Sequence, residues 1–143
     1  MDIYYFSYTG ISKEIAEWLG KKFKIKPKEI KTYRFPYFIW LVLSFIPYFS
    51  LKAFFEPPSN ETIILCFPKW TFNCPPITYF LKRIHCKKLI LVISYRGWGE
   101  ESYAKLYKNL GSKKAKEVSI ILIKRKLWEK IRNNNWKEIF LLL

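Results

Sequence analysis

The chain has 143 residues, of which half are hydrophobic and 20% aromatic, and a formal net charge of +15. Such a length is near the mode for a single domain, and so much apolar content excludes disorder over most of the chain. The charge favours an anionic partner and says nothing of fold. It fits solvated faces filled with Lys, an acidic protein partner or an anionic membrane surface; nucleic acid is set aside.

From Ile3 to Phe6 an uncharged, β-branched and aromatic run predicts a buried strand. A hydroxyl-and-glycine segment, Ser7 to Ser12, leads into a helix with Ile11, Ile15, Trp18 and Leu19 on one face, ending near Gly20-Lys21-Lys22. A strand, a short loop and a helix start present backbone N–H groups and a positive dipole end to an anion. Gly10 allows close approach, and Ser7, Thr9 and Ser12 add hydroxyls. The loop lacks the lysine of a P-loop and the glycines of the dinucleotide fingerprint, so it suits a monophosphate held by neutral donors without metal.

Lys28 to Tyr33 alternates as a short edge strand. Phe35 to Phe55 is an aromatic apolar insert. Pro47 interrupts it, and flanking strands of one sheet need both ends on one side, so it is not read as a membrane span. Two readings stay open: a partly buried helical insert or dimer contact, or an exposed patch for a membrane surface or a partner. After the turn-rich Glu56 to Asn60, Thr62 to Phe67 is a central parallel strand, and Ile77 to Ile84 a helix with Pro near its start. Leu89 to Ser94 is the fourth strand, and Ser102 to Leu110 a helix stopped by Gly111. Val118 to Ile123 is the fifth strand. Lys126 to Leu143 closes the chain as a helix burying Leu127, Trp128, Ile131, Trp136, Ile139 and Phe140.

Strand–helix alternation repeated five times predicts one α/β domain over residues 1–143, a three-layer sandwich on a parallel sheet. Ligands of such sheets bind beyond the carboxyl ends of the strands at the switch point. The three unusual loops, 7–12, 68–74 and 94–99, all fall at those ends. Cys66, Cys74 and Cys86 form neither a disulfide framework nor a zinc motif, and the single His85 beside Cys86 cannot close a metal site. No catalytic or metal-ligating residue is therefore assigned. A strand beginning at the third residue leaves no room for a signal peptide, and the expected compartment is the cytoplasm, with a peripheral membrane location open.

Ser7-Tyr8-Thr9-Gly10-Ile11-Ser12 resembles the phosphate loop of the flavodoxins. The segment Phe67 to Leu81, with Pro68, Trp70, Pro75 and Pro76, looks like that family's first flavin loop and the helix after it, and Ser94 to Gly99 is similar to its second. The resemblance implies strand order 2-1-3-4-5 with helices on both faces, and bound FMN. Ser7, Tyr8, Thr9, Gly10, Ile11 and Ser12 would hold the FMN phosphate. Pro68, Lys69, Trp70, Thr71 and Phe72 would flank the ring on one side, and Ser94, Tyr95, Arg96, Gly97, Trp98 and Gly99 on the other. It implies single-electron transfer to or from a redox partner, here an acidic one, with no substrate chemistry of the chain's own. Three features depart from the family. Ile11 stands where Asn is common, Phe72 replaces a Gly, and the chain is basic where most family carriers are acidic. Competing readings are a membrane-surface flavoenzyme reducing a quinone, with residues 35–55 as its dock, and a flavin-free module of the same fold.

Overall fold

The computed structural model describes residues 1–7, 10–46, 48–70 and 73–134, the last four as backbone. Tyr8, Thr9, Pro47, Thr71 and Phe72 lie outside the described residues. So do Trp136, Ile139 and Phe140 of the expected closing helix, and the side chain of Ile131.

The elements run β1 (Asp2–Tyr5), α1 (Ile11–Phe23), β2 (Lys28–Glu29), β3 (Lys31–Thr32), α2 (Tyr37–Ser44), β4 (Ala53–Phe54), β5 (Thr62–Pro68), α3 (Pro75–Arg83), β6 (Cys86–Tyr95), α4 (Glu100–Ser112), β7 (Ala115–Lys124) and α5 (Arg125–Asn134). Five strands form a wholly parallel sheet in the order β2-β1-β5-β6-β7, the expected 2-1-3-4-5. Side chains alternate across it as the pleat requires. Tyr4, Phe6, Ile63, Leu65 and Phe67 meet Phe80 of α3 and Tyr103 and Tyr107 of α4 on one face. Ile3, Tyr5, Ile64 and Cys66 meet Ile11, Ile15 and Leu19 of α1 and Trp128 of α5 on the other. The result is a three-layer α/β sandwich. Among the described residues, no helix is long and apolar enough to cross a membrane.

Several boundaries differ from those expected of the sequence. The expected strand Lys28–Tyr33 divides: β2 pairs with β1, Ile30 donates to the Tyr5 carbonyl at 2.8 Å, and β3 then turns away to pair antiparallel with β4. Ile30 is buried, so the chain leaves the sheet just after its one core side chain is anchored. α1 runs past Gly20 to Phe23, where Lys24 adopts the left-handed conformation (φ 57°). Gly20 instead admits the returning chain: a Cβ there would stand 2.6 Å from the Ile25 carbonyl oxygen. Gly111 does not stop α4 but lies within its last turn, where a Cβ would meet Leu89 Cδ2 at 2.9 Å. β6 and β7 extend to ten residues each, because each has a long neighbour to supply its ladder.

The insert is partly buried and partly exposed. α2 buries Trp40 and Ser44, and exposes Tyr37, Phe38, Leu41 and Val42. The buried side packs over the carboxyl end of the sheet: Trp40 lies 5.3 Å from Trp70 and 5.3 Å from Phe35, ring centre to ring centre.

Candidate functional site

The sheet order reverses between β1 and β5, leaving a crevice at their carboxyl ends. Each of the three expected loops opens there. Gly10, at φ +98°, turns the chain from β1 into α1, and among the described residues no atom beyond its chain neighbours lies within 4 Å of where its Cβ would be. The Gly10 N–H donates to Ser7 Oγ at 2.8 Å, while the Gly10 carbonyl accepts from Glu14 N–H at 3.0 Å. No described side chain caps α1. Its first N–H groups are therefore the orphan donors that every helix start carries. Ser12 is buried, its Oγ 3.3 Å from Ser94 Oγ, and so ties the first loop to the third.

The second loop is held from beneath by α4. Tyr103 Oη donates to the Pro68 carbonyl at 3.1 Å, and the Cys74 N–H donates to Tyr107 Oη at 2.7 Å. Tyr107 in turn donates to Asn73 Oδ1 at 3.0 Å, and Thr78 Oγ1 donates to the same Asn73 oxygen. Asn73 Nδ2 donates to the Phe49 carbonyl at 2.6 Å, joining the insert to the loop. Two tyrosines one helical turn apart thus clamp both ends of 68–74. Trp70 stands between Phe6 and Trp40, with centroid distances of 5.6 and 5.3 Å.

The Lys69 N–H donates to the Ser94 carbonyl at 2.7 Å, extending the β5–β6 ladder into the loops. Lys69 Nζ donates to the Trp70 carbonyl at 3.2 Å and lies 5.6 Å from the Trp98 ring centre. Burial lowers its ammonium pKa, and Glu100 acts in the opposite direction. In the third loop Ser94 is buried, Arg96 and Gly97 are exposed, and Trp98 is 80% exposed, a flat ring standing at the rim. Gly99, at φ +78°, starts α4.

Between the second and third loops lies a cleft of about 380 Å³, walled by Lys69, Trp70, Arg96, Gly97 and Trp98 and roofed by Tyr37, Trp40, Leu41 and Ser44. A pocket of about 270 Å³ continues it toward the start of α1, passing Pro68, Ser94 and Tyr95 to Ile11 and Arg125. Together they have the size of a small-molecule site, aromatic and aliphatic in the cleft and cationic toward Arg125. Of the expected residues, Ile11, Pro68, Lys69, Trp70, Ser94, Tyr95, Arg96, Gly97 and Trp98 line this space, and Ser7, Gly10, Ser12 and Gly99 shape its loops. Tyr8, Thr9, Thr71 and Phe72 fall outside the described residues.

The sequence reading missed Arg125, the α2 roof and the tyrosine clamp. Arg125 was findable, since it directly follows the fifth strand at the same carboxyl edge as the other loops. Its guanidinium, 3.5 Å from Glu129, puts a cation beside a loop expected to hold an anion with neutral donors only.

An uncharacterized protein of Archaeoglobus fulgidus is 42% identical to the chain over 147 aligned positions, spanning 97% of this chain and 99% of that one. The chain belongs to that protein's family. No family model matches it. Among solved structures, a Bacteroides uniformis protein provisionally described as a flavoprotein superposes with a TM-score of 0.65 over 93% of this chain and 97% of its own. At 15% identity that likeness establishes a shared α/β fold of flavodoxin type.

Proposed function

We propose that the chain binds FMN and passes single electrons to or from an acidic redox partner. The carrying observation is the continuity of the cleft: the space lined by Trp70 and Trp98 between 68–70 and 94–98 leads into a pocket lined by Ser94, Arg96 and Arg125 at the start of α1. A planar tricycle with a phosphate tail has that shape and polarity. The provisional flavoprotein description of the B. uniformis neighbour supports the same reading.

The fit follows from the donor set. Ser7 and the N–H groups opening α1 would take the phosphate, with the open space at Gly10 leaving the backbone accessible. Arg125 would add the charge-assisted contact that neutral donors lack. Trp70 and Trp98 would face the ring, and the α2 roof would exclude water from its inner edge. When bound, the flavin supplies one-electron redox chemistry; the residues around it bind, orient and tune. Lys69 and Arg96, lining the same walls, favour an added negative charge there and raise the reduction potential relative to an acidic site. The +15 surface would steer an acidic partner to the exposed Trp98 rim.

The test is a visible absorption spectrum of the purified protein, followed by titration of the stripped chain with FMN. Saturable quenching of flavin fluorescence is expected. A colourless protein that stays unbound in excess FMN would overturn the proposal.

A further inference from the structure

Residues 30–55 hold no Asp or Glu, yet include Lys31, Arg34 and Lys52. Within this acid-free stretch α2 carries no charged or amide side chain at all. Its inner side is fixed by Trp40 against Trp70, so the helix is a seated element with an outward apolar face. That face is large: Phe38 is 65% exposed and Val42 60%, and Leu41 and Ile46 are exposed beside them. On the neighbouring β3–β4 ribbon Phe54 and Tyr33 are exposed as well, in ring contact with each other at 5.9 Å. Soluble chains rarely leave so contiguous an apolar surface to water unless something covers it.

Basic groups frame the patch. Lys31 pairs with Phe54 across the β3–β4 ribbon, and Lys52 Nζ lies 5.4 Å from the Phe54 ring centre. Lys82 Nζ donates to the Tyr48 carbonyl at 3.1 Å. Arg34 lines a hollow shared with Phe35 and Trp40, and Arg96 lines the cleft beside Tyr37 and Leu41.

We infer that this face docks on the surface of an anionic lipid bilayer. α2 would lie in the interfacial plane with Phe38, Val42 and Ile46 among the acyl chains, and the basic frame would meet headgroup phosphates. The tyrosines at 33, 37 and 48 suit the headgroup level, where an apolar ring with a polar tip is favoured. The chemistry favours lipid over the alternatives. A second copy brought face to face would set one basic frame against another, with no acid in residues 30–55 to separate them. An acidic protein would satisfy the frame, but the only hydrogen-bonding side chains of α2 are Tyr37, Trp40 and Ser44, and Trp40 and Ser44 are buried, which leaves Tyr37 alone to meet such a partner. A bilayer needs no such matching. Because Tyr37, Trp40 and Leu41 also roof the cleft, docking turns the cleft mouth toward the membrane. The inference goes beyond the flavin proposal and stands without it.

The experiment is co-sedimentation of the full chain with vesicles of equal parts phosphatidylcholine and phosphatidylglycerol, against vesicles of phosphatidylcholine alone. The chain should pellet with the anionic vesicles. Phe38→Ser with Val42→Ser leaves every charge in place and should weaken partitioning at least about tenfold. Ile46→Ser, made separately, should weaken it in the same direction, and circular dichroism checks that each variant is folded. Arg34→Glu with Lys52→Glu should abolish the preference for anionic lipid. Wild-type chain left in the supernatant overturns the inference. So does pelleting unaffected by the apolar substitutions, which is adhesion by charge alone. Concentration-dependent dimers in the absence of lipid, lost in the Phe38→Ser, Val42→Ser variant, would overturn it in favour of a second copy.

Discussion

Replacing Tyr107 by Phe removes one oxygen from the clamp under the 68–74 loop and leaves the ring packing against Phe67 and Tyr103 intact. That oxygen accepts from the Cys74 N–H, donates to Asn73, and lies 3.1 Å from Thr78 Oγ1. Asn73 and Thr78 keep their own hydrogen bond, so their loss is partial. The Cys74 N–H has no such reserve: Cys74 is fully buried, and water cannot replace the lost acceptor. One buried unsatisfied donor costs about 1–3 kcal/mol. With a urea m-value of about 2 kcal/mol/M, a loss of about 2 kcal/mol moves the unfolding midpoint down by about 1 M with the slope unchanged. The second loop also loses one of its two anchors, so FMN affinity should fall more than stability alone requires, while Tyr103→Phe, at the other anchor, should lower affinity in the same direction. Urea unfolding followed by far-UV circular dichroism, paired with flavin fluorescence titration, measures both. A midpoint within about 0.2 M of wild type would refute the reasoning, since it would mean that the Cys74 donor is satisfied without the hydroxyl.

Gly20→Ala should destabilise by about 2 kcal/mol or more despite alanine's better helix propensity, because the new Cβ meets the Ile25 carbonyl oxygen at 2.6 Å and thermal unfolding should shift down accordingly. Burial acts to raise the Asp2 carboxyl pKa, but the amides of Asn60 and Ser59, the Asn60 side chain and the Lys28 charge together hold it below the usual carboxylate range. A folded pKa below the unfolded one adds stability that is fully present above about pH 4 and lost as pH falls through the folded value. Asp2→Asn should therefore be less stable than wild type at neutral pH by about 1–3 kcal/mol, and the gap should close in acid; a pH-independent gap would refute this. Arg125→Ala should weaken FMN binding by about tenfold and flatten its salt dependence while leaving riboflavin, which lacks the phosphate, unaffected. If the chain binds flavin, Lys69→Glu should lower its reduction potential by on the order of 50 mV, read by redox titration.

The sequence alone determined the layer architecture, because each strand's uncharged run and each helix's apolar stripe encode which surface is buried. Three loops at the carboxyl ends were legible for the same reason: once strands and helices alternate, topology puts those ends on one edge. Contacts between residues far apart in the chain were not legible. Nothing local marks Tyr103 and Tyr107 as a clamp for residues 68 and 74, or says that Ser12 and Ser94 stand 3.3 Å apart. Gly111 and Gly20 read as helix stops from their neighbours, yet each serves the close approach of a chain segment that packs against it. Arg125 is the exception: it follows the fifth strand directly, so its place at the edge of the site was legible from the strand order. The insert shows the division most clearly. Its composition said it was apolar, but only the packing of Trp40 on Trp70 decided which half of α2 faces the protein and which faces outward, because a helix apolar on every side carries no stripe to choose for it.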